Sequence, residues 1–431
     1  MDDYRCNEQE LERRKLMRQE MKRRRDKQRK IALGILALVV VLIIVLICTK
    51  CASNRKAQEE EAAREAAAAA VQAEAVTTKI NIAAVGDIMC YDEQIADAKQ
   101  ADGTYDFAPA FAAIKPYLET ADITVGNLEL NFCGADAGYS GKPGFNAPES
   151  LATALKDAGF DLMQTANTYS ILHGLNGLSS TIRYLTENKL EHVGTYYAQT
   201  DRDSNGVYVK NISGIRVAFF GYTKGVNNMT LPEGSEFCVD LLYKDYNSNY
   251  EEIDKDALLH SIQLAKDKKA DVIVAMLHWG GEFEQEPSDS QKEIADFLFQ
   301  NGVDVILGSH SHEIGPMETR TVTVDGKEKT VFVAYSLGNF FSSMDQGTSR
   351  TSCVLNVEYT MDPETGEIKL TNTSYLPVYG VDKGEESEVR YEVLPIRGAQ
   401  SSSLFTDWKD TFTAAIDTLK TRTGSTYDSG K

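Results

Sequence analysis

The chain has 431 residues, 42% of them apolar and 25% charged, so a large core is available and wholesale disorder is excluded. Its 64 acidic residues outnumber 45 basic ones for a net charge of −19. That balance argues against a nucleic-acid partner and against holding an anionic polymer by bulk charge.

The charge is unevenly spread: residues 1–30 carry 12 Lys/Arg and 7 Asp/Glu, a net of +5, which leaves −24 for residues 31–431. Residues 31–49 (IALGILALVVVLIIVLICT) form a 19-residue run without a charge. About 20 apolar residues as a helix cross a bilayer core of roughly 30 Å, so the run reads as one transmembrane helix. The basic segment then stays in the cytoplasm, and everything after Thr49 lies outside the cell membrane. A cleavable signal peptide is the rival reading. Against it, the run exceeds the roughly 7–15 residues of a signal core, and Cys51-Ala52-Ser53 is a poor cleavage site. Residues 50–77 are rich in Ala and Glu with no Gly or Pro, which predicts a helical stalk, the alternative being a flexible tether.

From residue 78 the pattern alternates. Residues 79–85 read as a strand, 107–119 as a helix, 121–130 as a strand, 149–158 as a helix and 161–166 as a strand. A helix follows at 178–188, and 206–223 reads as a hairpin with its turn at Asn211-Ile212-Ser213-Gly214. Residues 257–268 and 290–301 are helical, each before a buried strand, 270–277 and 303–307. Thereafter strands dominate, with turns at Asp325-Gly326 and at Asp362-Pro363-Glu364. Alternation followed by antiparallel strands predicts an α/β domain with a mixed sheet, or two packed sheets, and helices outside. The Ser/Thr-rich last 30 or so residues are expected to be loosely attached. Cys90, Cys133, Cys238 and Cys353 lack CxxC spacing, which leaves buried thiols or up to two disulfides open.

Four strands deliver polar residues at their ends, where ligands bind in open α/β sheets. The first delivers Asp87, the second Asn127 and Glu129, a later one His278 with Glu282 behind it, and another His310 and His312. Carboxylates and imidazoles together suit Mn, Fe or Zn better than Ca. Two such ions about 3.5–4 Å apart could clamp an in-line phosphoryl transfer. His310-Ser311-His312 on an extended segment would point both rings to the same side.

These residues resemble the CapA family of poly-γ-glutamate capsule biosynthesis proteins. The shared pieces are VGDIM (Val85 to Met89), GNLE (Gly126 to Glu129), TAN (Thr165 to Asn167), LHWGGEF (Leu277 to Phe283), GVDVILGSHSH (Gly302 to His312) and YSLGNF (Tyr335 to Phe340). The resemblance implies a calcineurin-like metallophosphoesterase fold: two packed mixed β-sheets flanked by helices, a four-layer αββα sandwich, here preceded by one transmembrane helix. The chain then divides into a basic tail (1–30), a membrane helix (31–49), a stalk (50–77), a CapA-like domain (78–395) and a C-terminal extension (396–431). Asp87, Glu129, His278, His310 and His312 would be metal ligands, the first four also carrying any catalysis, with Asn127, Asn167, Glu282 and Asn339 lining the site. Thr168 and Tyr169 stand where the family carries Asn-His, and Ser309 replaces a histidine. His173 is expected to be a surface residue.

The implied role is capsule assembly, handling poly-γ-glutamate or a similar anionic polymer, or its synthesis complex, at the outer face. An active metal-dependent phosphoesterase or amide hydrolase, and a non-catalytic binding domain, are the alternatives. The cofactor is Mn, Fe or Zn, or none.

Overall fold

The computed structural model describes residues 3–74 and 77–430. The chain divides into two units, one ending at residue 76 and the other beginning at residue 77. In the first, a single helix, Asp3–Glu74, carries the apolar run and the Ala/Glu-rich segment without a break, as a stretch of good helix formers should. Leu33, Ile35, Leu38, Ile43 and Leu46 are all exposed on it. It is long and apolar enough to cross a membrane by length and composition.

The second unit holds fourteen strands among its described residues. In chain order they are β1 Thr78–Ile88, β2 Ile123–Leu128, β3 Leu162–Gln164, β4 Glu191–Val193, β5 Tyr208–Ile212, β6 Ile215–Thr223 and β7 Val272–His278. The rest are β8 Val305–Ser309, β9 Met317–Val324, β10 Lys327–Ala334, β11 Asn339–Phe341, β12 Thr351–Met361, β13 Ile368–Asp382 and β14 Tyr391–Pro395. One sheet runs β14-β13-β12-β1-β2-β3-β4, with β11 also paired to β1; the other runs β5-β6-β7-β8-β10-β9. Both are mixed. β1 to β4 are parallel neighbours while β12 to β14 are antiparallel, and β6, β7, β8 and β10 are parallel between two antiparallel edges.

The sheets pack face to face because alternate residues of their strands are apolar on both sides. Ile80, Ile82 and Ala84 of β1 share one buried cluster with Val217 and Phe219 of β6 and Val272, Val274 and Met276 of β7. The intervening Ala83 and Val85 pack outward with Phe111, Leu151 and Leu155. Likewise Ile273, Ala275 and Leu277 meet Leu258, Ile262, Ile294 and Leu298 from helices Lys255–Asp267 and Asp289–Gln300. Double-faced burial is why these strands are nearly continuous apolar runs rather than alternating ones. The result is helix, sheet, sheet, helix.

Two sequence expectations are corrected and one open alternative is settled. The helix expected over 107–119 is two single turns, Ala108–Phe111 and Lys115–Leu118, each with a proline in its first turn. Pro116 has no N–H to continue the preceding helix and its ring crowds the previous turn. The C-terminal segment is not loosely attached: the helix Lys409–Thr423 buries Phe412, Ala415, Ile416 and Leu419. Cys90, Cys133, Cys238 and Cys353 are free thiols, so no disulfide joins them.

Candidate metal centre

The polar strand ends gather where β1, β2, β7 and β8 finish. In the ladder Asp87 lies opposite Asn127 on one side and Asn339 on the other. The second pairing needs Gly86, because a Cβ there would lie 1.9 Å from the Gly338 carbonyl oxygen. That same carbonyl accepts the Asp87 amide proton at 2.8 Å. Gly308 does the same for β8, where a Cβ would come within 2.0 Å of the Tyr335 carbonyl.

Asp87, Asn127, Glu129, Asn167, His278, His310, His312 and Asn339 are all buried together. The Asn127 amide donates to Asp87 Oδ1 at 2.7 Å and to Glu129 Oε2 at 3.4 Å, so one neutral donor sits between two carboxylates. Asn167 is spent on structure: it donates to the Leu128 carbonyl (2.7 Å) and Asn127 Oδ1 (3.3 Å) and accepts from the Tyr169 amide (3.1 Å). His312 Nδ1 lies 3.2 Å from Asp87 Oδ2 and 3.0 Å from Asn339 Oδ1. Two acceptors around one nitrogen require that nitrogen to carry a proton.

His278 is set differently. Its Nδ1 lies 3.2 Å from the Thr223 hydroxyl, which donates to the Gly225 carbonyl at 2.9 Å. With its own proton committed, that hydroxyl accepts, so His278 is protonated on Nδ1 and its Nε2 lone pair faces inward. Nε2 stands 3.1 Å from Glu129 Oε1, yet both atoms are buried without a hydrogen-bond partner, as is His310 Nδ1. Burying such atoms unpartnered costs about 1–3 kcal/mol each. Three unpartnered donor-type atoms from three residues that could jointly hold an ion are what a divalent-cation site presents to its ion. A second possible group, Asp87, Glu129 and His312, shares Glu129 with the first. Carboxylate oxygens and imidazole nitrogens fit a divalent metal.

The electrostatics are those of a dry cluster. Burial, then the imidazoles of His278 and His312 and the Lys224 cation beside it, hold His310 well below the usual histidine range. Burial also works against protonated His312, but its bond to Asp87 and the charges of Glu129, Asp87 and Glu282 prevail and raise it to about 9. Burial would raise Glu129, but His278 and His312 facing it, with the Thr168 hydroxyl, hold it below the ordinary value. Burial, then Glu129 and Glu282, push the Tyr91 and Tyr169 phenols upward, so both stay neutral donors. Tyr169 packs on Phe145 with ring centroids 4.4 Å apart.

One geometric expectation fails. His310 and His312 are not on an extended segment: they follow β8 in a bend with φ of +97° and +60°, in the left-handed region that strains residues with a side chain. Their rings are 6.2 Å apart, and His310 instead approaches His278 at 4.4 Å. Glu282 is exposed and belongs to neither possible ligand group; it acts as a nearby charge. His173 is half-buried, with Nε2 2.6 Å from the Gly144 carbonyl oxygen. Thr223 and Lys224 were missed, although Thr223 ends β6 opposite His278 and Lys224 directly follows it; the strand-end rule would have found them had β6 not been read only as half of a hairpin.

Fold and cluster together define a two-sheet αββα domain with a buried carboxylate–histidine centre compatible with a divalent metal. Residues 81–344 match the family described as bacterial capsule synthesis protein PGA_cap. The chain belongs to that family. It is 29% identical over 292 residues to the "Capsule biosynthesis protein CapA" of Bacillus anthracis, covering 65% of this chain and 64% of that one. It is 28% identical over 301 residues to the "PGA biosynthesis protein CapA" of Bacillus subtilis, covering 68% and 70%. The chain thus spans less than two thirds of the Bacillus anthracis relative. Among solved structures, a 5'-nucleotidase precursor of Thermus thermophilus is similar at 12% identity and a TM-score of 0.39, covering 80% of this chain and 59% of that one. A Mycoplasma pneumoniae phosphatase reaches 0.38 at 12% identity, covering 70% and 94%.

Proposed function

We propose that this chain is anchored in the cell membrane by residues 31–49, with residues 1–30 in the cytoplasm and the domain beginning near Thr78 outside. There it serves in the biosynthesis or assembly of an anionic capsule polymer, poly-γ-glutamate or one like it. Family membership supports the capsule role, and the basic flank supports the orientation. The observation that carries the site is the unpartnered trio Glu129 Oε1, His278 Nε2 and His310 Nδ1.

In this reading Glu129, His278 and His310 would hold one divalent ion, and Asp87, Glu129 and His312 would hold a second. Mn, Fe or Zn suits the donor set. When bound, the ion supplies Lewis-acid polarisation of a carbonyl or phosphoryl oxygen. It would also let a polymer carboxylate approach a domain whose bulk charge repels it. Asn127 keeps the two carboxylates apart, Thr223 fixes the His278 tautomer, and the neutral Tyr91 and Tyr169 phenols can donate to a bound oxygen. Metal-dependent hydrolysis of an envelope ester or amide is the second reading, favoured by the same trio.

Protease added to intact cells should release a fragment starting within residues 50–78, and the purified chain should carry a transition metal. An ectodomain protected until lysis overturns the topology. A chain that binds none of the three metals overturns the site.

A further inference from the structure

Beyond the stretch that matches the family, the C-terminal helix reaches back to the metal centre. Arg422, in its last turn, donates through Nη1 to Glu313 Oε2 at 2.6 Å and to the Ile314 carbonyl at 3.2 Å. Glu313 directly follows His312 and is buried. It also accepts from Thr348, whose amide donates to Oε1 at 2.9 Å and whose hydroxyl donates to Oε2 at 3.1 Å. The Ser311 hydroxyl closes the bend by donating to the Glu313 carbonyl at 2.8 Å. On the other side of His312, Asn339 accepts from Nδ1 and passes its own amide to Met344 Sδ at 3.6 Å, in the same loop as Thr348. The left-handed bend of His310 and His312 is thus bracketed on both flanks.

We infer that Arg422 is a positioning residue for the histidine bend: its ion pair with Glu313 holds His310 and His312 in the strained backbone that turns each ring toward its own ligand group. This rests on the metal-centre reading above. Strained backbone persists only where its surroundings over-determine it. A buried carboxylate stripped of its cationic partner would reorganise toward water and pull the adjoining bend with it. The C-terminal extension is then part of the site rather than an appendage.

The test is metal titration of the detergent-solubilised full chain with Mn and Zn salts, comparing the parent with Arg422→Ala, Arg422→Lys and Arg397→Ala. Arg397 pairs with Asp428 in the same C-terminal region at 2.5 Å, so its loss controls for general loosening of that region. Loss of a residue that orients a ligand costs roughly 10- to 100-fold in metal affinity, and that loss is expected for Arg422→Ala. Arg422→Lys should recover most of it, and Arg397→Ala should bind like the parent. Parent-like affinity in Arg422→Ala overturns the inference, as does an equal loss in Arg397→Ala. If the parent itself binds no metal, the metal-centre reading falls and the inference with it, a result distinct from the other two.

Discussion

Replacing His310 by alanine removes one of three buried ligand-type atoms that lack a partner. In the parent, a metal supplied at 100 times its dissociation constant stabilises the folded form by about 2.7 kcal/mol. The unit that begins at Thr77 has roughly 350 residues, for which the unfolding entropy is on the order of 0.7 kcal/mol per kelvin. The melting midpoint should therefore rise by about 4 °C on adding metal. If losing the ligand weakens binding at least about 100-fold, the same metal concentration only matches the new dissociation constant. The stabilisation then falls to about 0.4 kcal/mol, a shift under about 1 °C. Without metal, deleting His310 relieves one unsatisfied atom but opens a void, and these effects oppose each other. Scanning calorimetry of both proteins, chelator-treated and metal-loaded, reads all four midpoints. An equal metal-induced rise in both refutes the ligand assignment, and no rise in the parent refutes the centre.

Metal affinity should increase as pH rises toward about 9, because His312, raised to about that value by Asp87 and its acidic neighbours, must release a proton for an ion to take that place; titrations between pH 6 and 10 that show flat affinity contradict this. In the metal-free protein the same shift has the opposite sign: the stability that His312 contributes is fully present below its unfolded value near 6.5 and is lost as pH rises through about 9. Gly86→Ala drives a Cβ to 1.9 Å from the Gly338 carbonyl, so it should cost roughly 1–3 kcal/mol or more and weaken metal binding as Asn339 is pushed from Asp87; an unchanged denaturation midpoint counts against that contact. With Thr168 and Tyr169 at the site, generic phosphoesters should be turned over slowly or not at all, since a neutral phenol pushed upward by burial and two glutamates is a poor acid near pH 7. Thr168→Asn combined with Tyr169→His should raise that activity, and robust turnover by the parent, abolished in Asp87→Ala, would sink this account.

Much of the fold was legible because its signals are local. The turn at Ser213-Gly214 has φ of +52° and +97°, as a tight hairpin requires, and the expected turn at Asp325-Gly326 joins β9 to β10. The apolar runs of β1, β7 and β8 declared buried strands, and the polar residues just beyond them declared a site. Pro116 was also visible, yet the apolar spacing around it outweighed it in the helix reading. The C-terminal helix was missed since its Ser/Thr-rich surroundings resemble a loose tail, and only packing against β13 and its neighbours reveals Phe412 and Ile416 as core.

By itself the sequence determined the class of the molecule: a basic flank, one long apolar helix, an acidic α/β domain, and carboxylates and histidines at strand ends. Each follows from residue order within a few positions, since periodicity, turn chemistry and strand termini are short-range properties. The tertiary structure alone decided which of those groups lack a partner, which nitrogen of His278 is free, that His310 and His312 bend rather than extend, and that Arg422 holds Glu313. Those outcomes rest on contacts such as His310 with Asp87 across 223 positions and Arg422 with Glu313 across 109. Hydrogen-bond satisfaction is a property of every neighbour at once, and no local pattern encodes it.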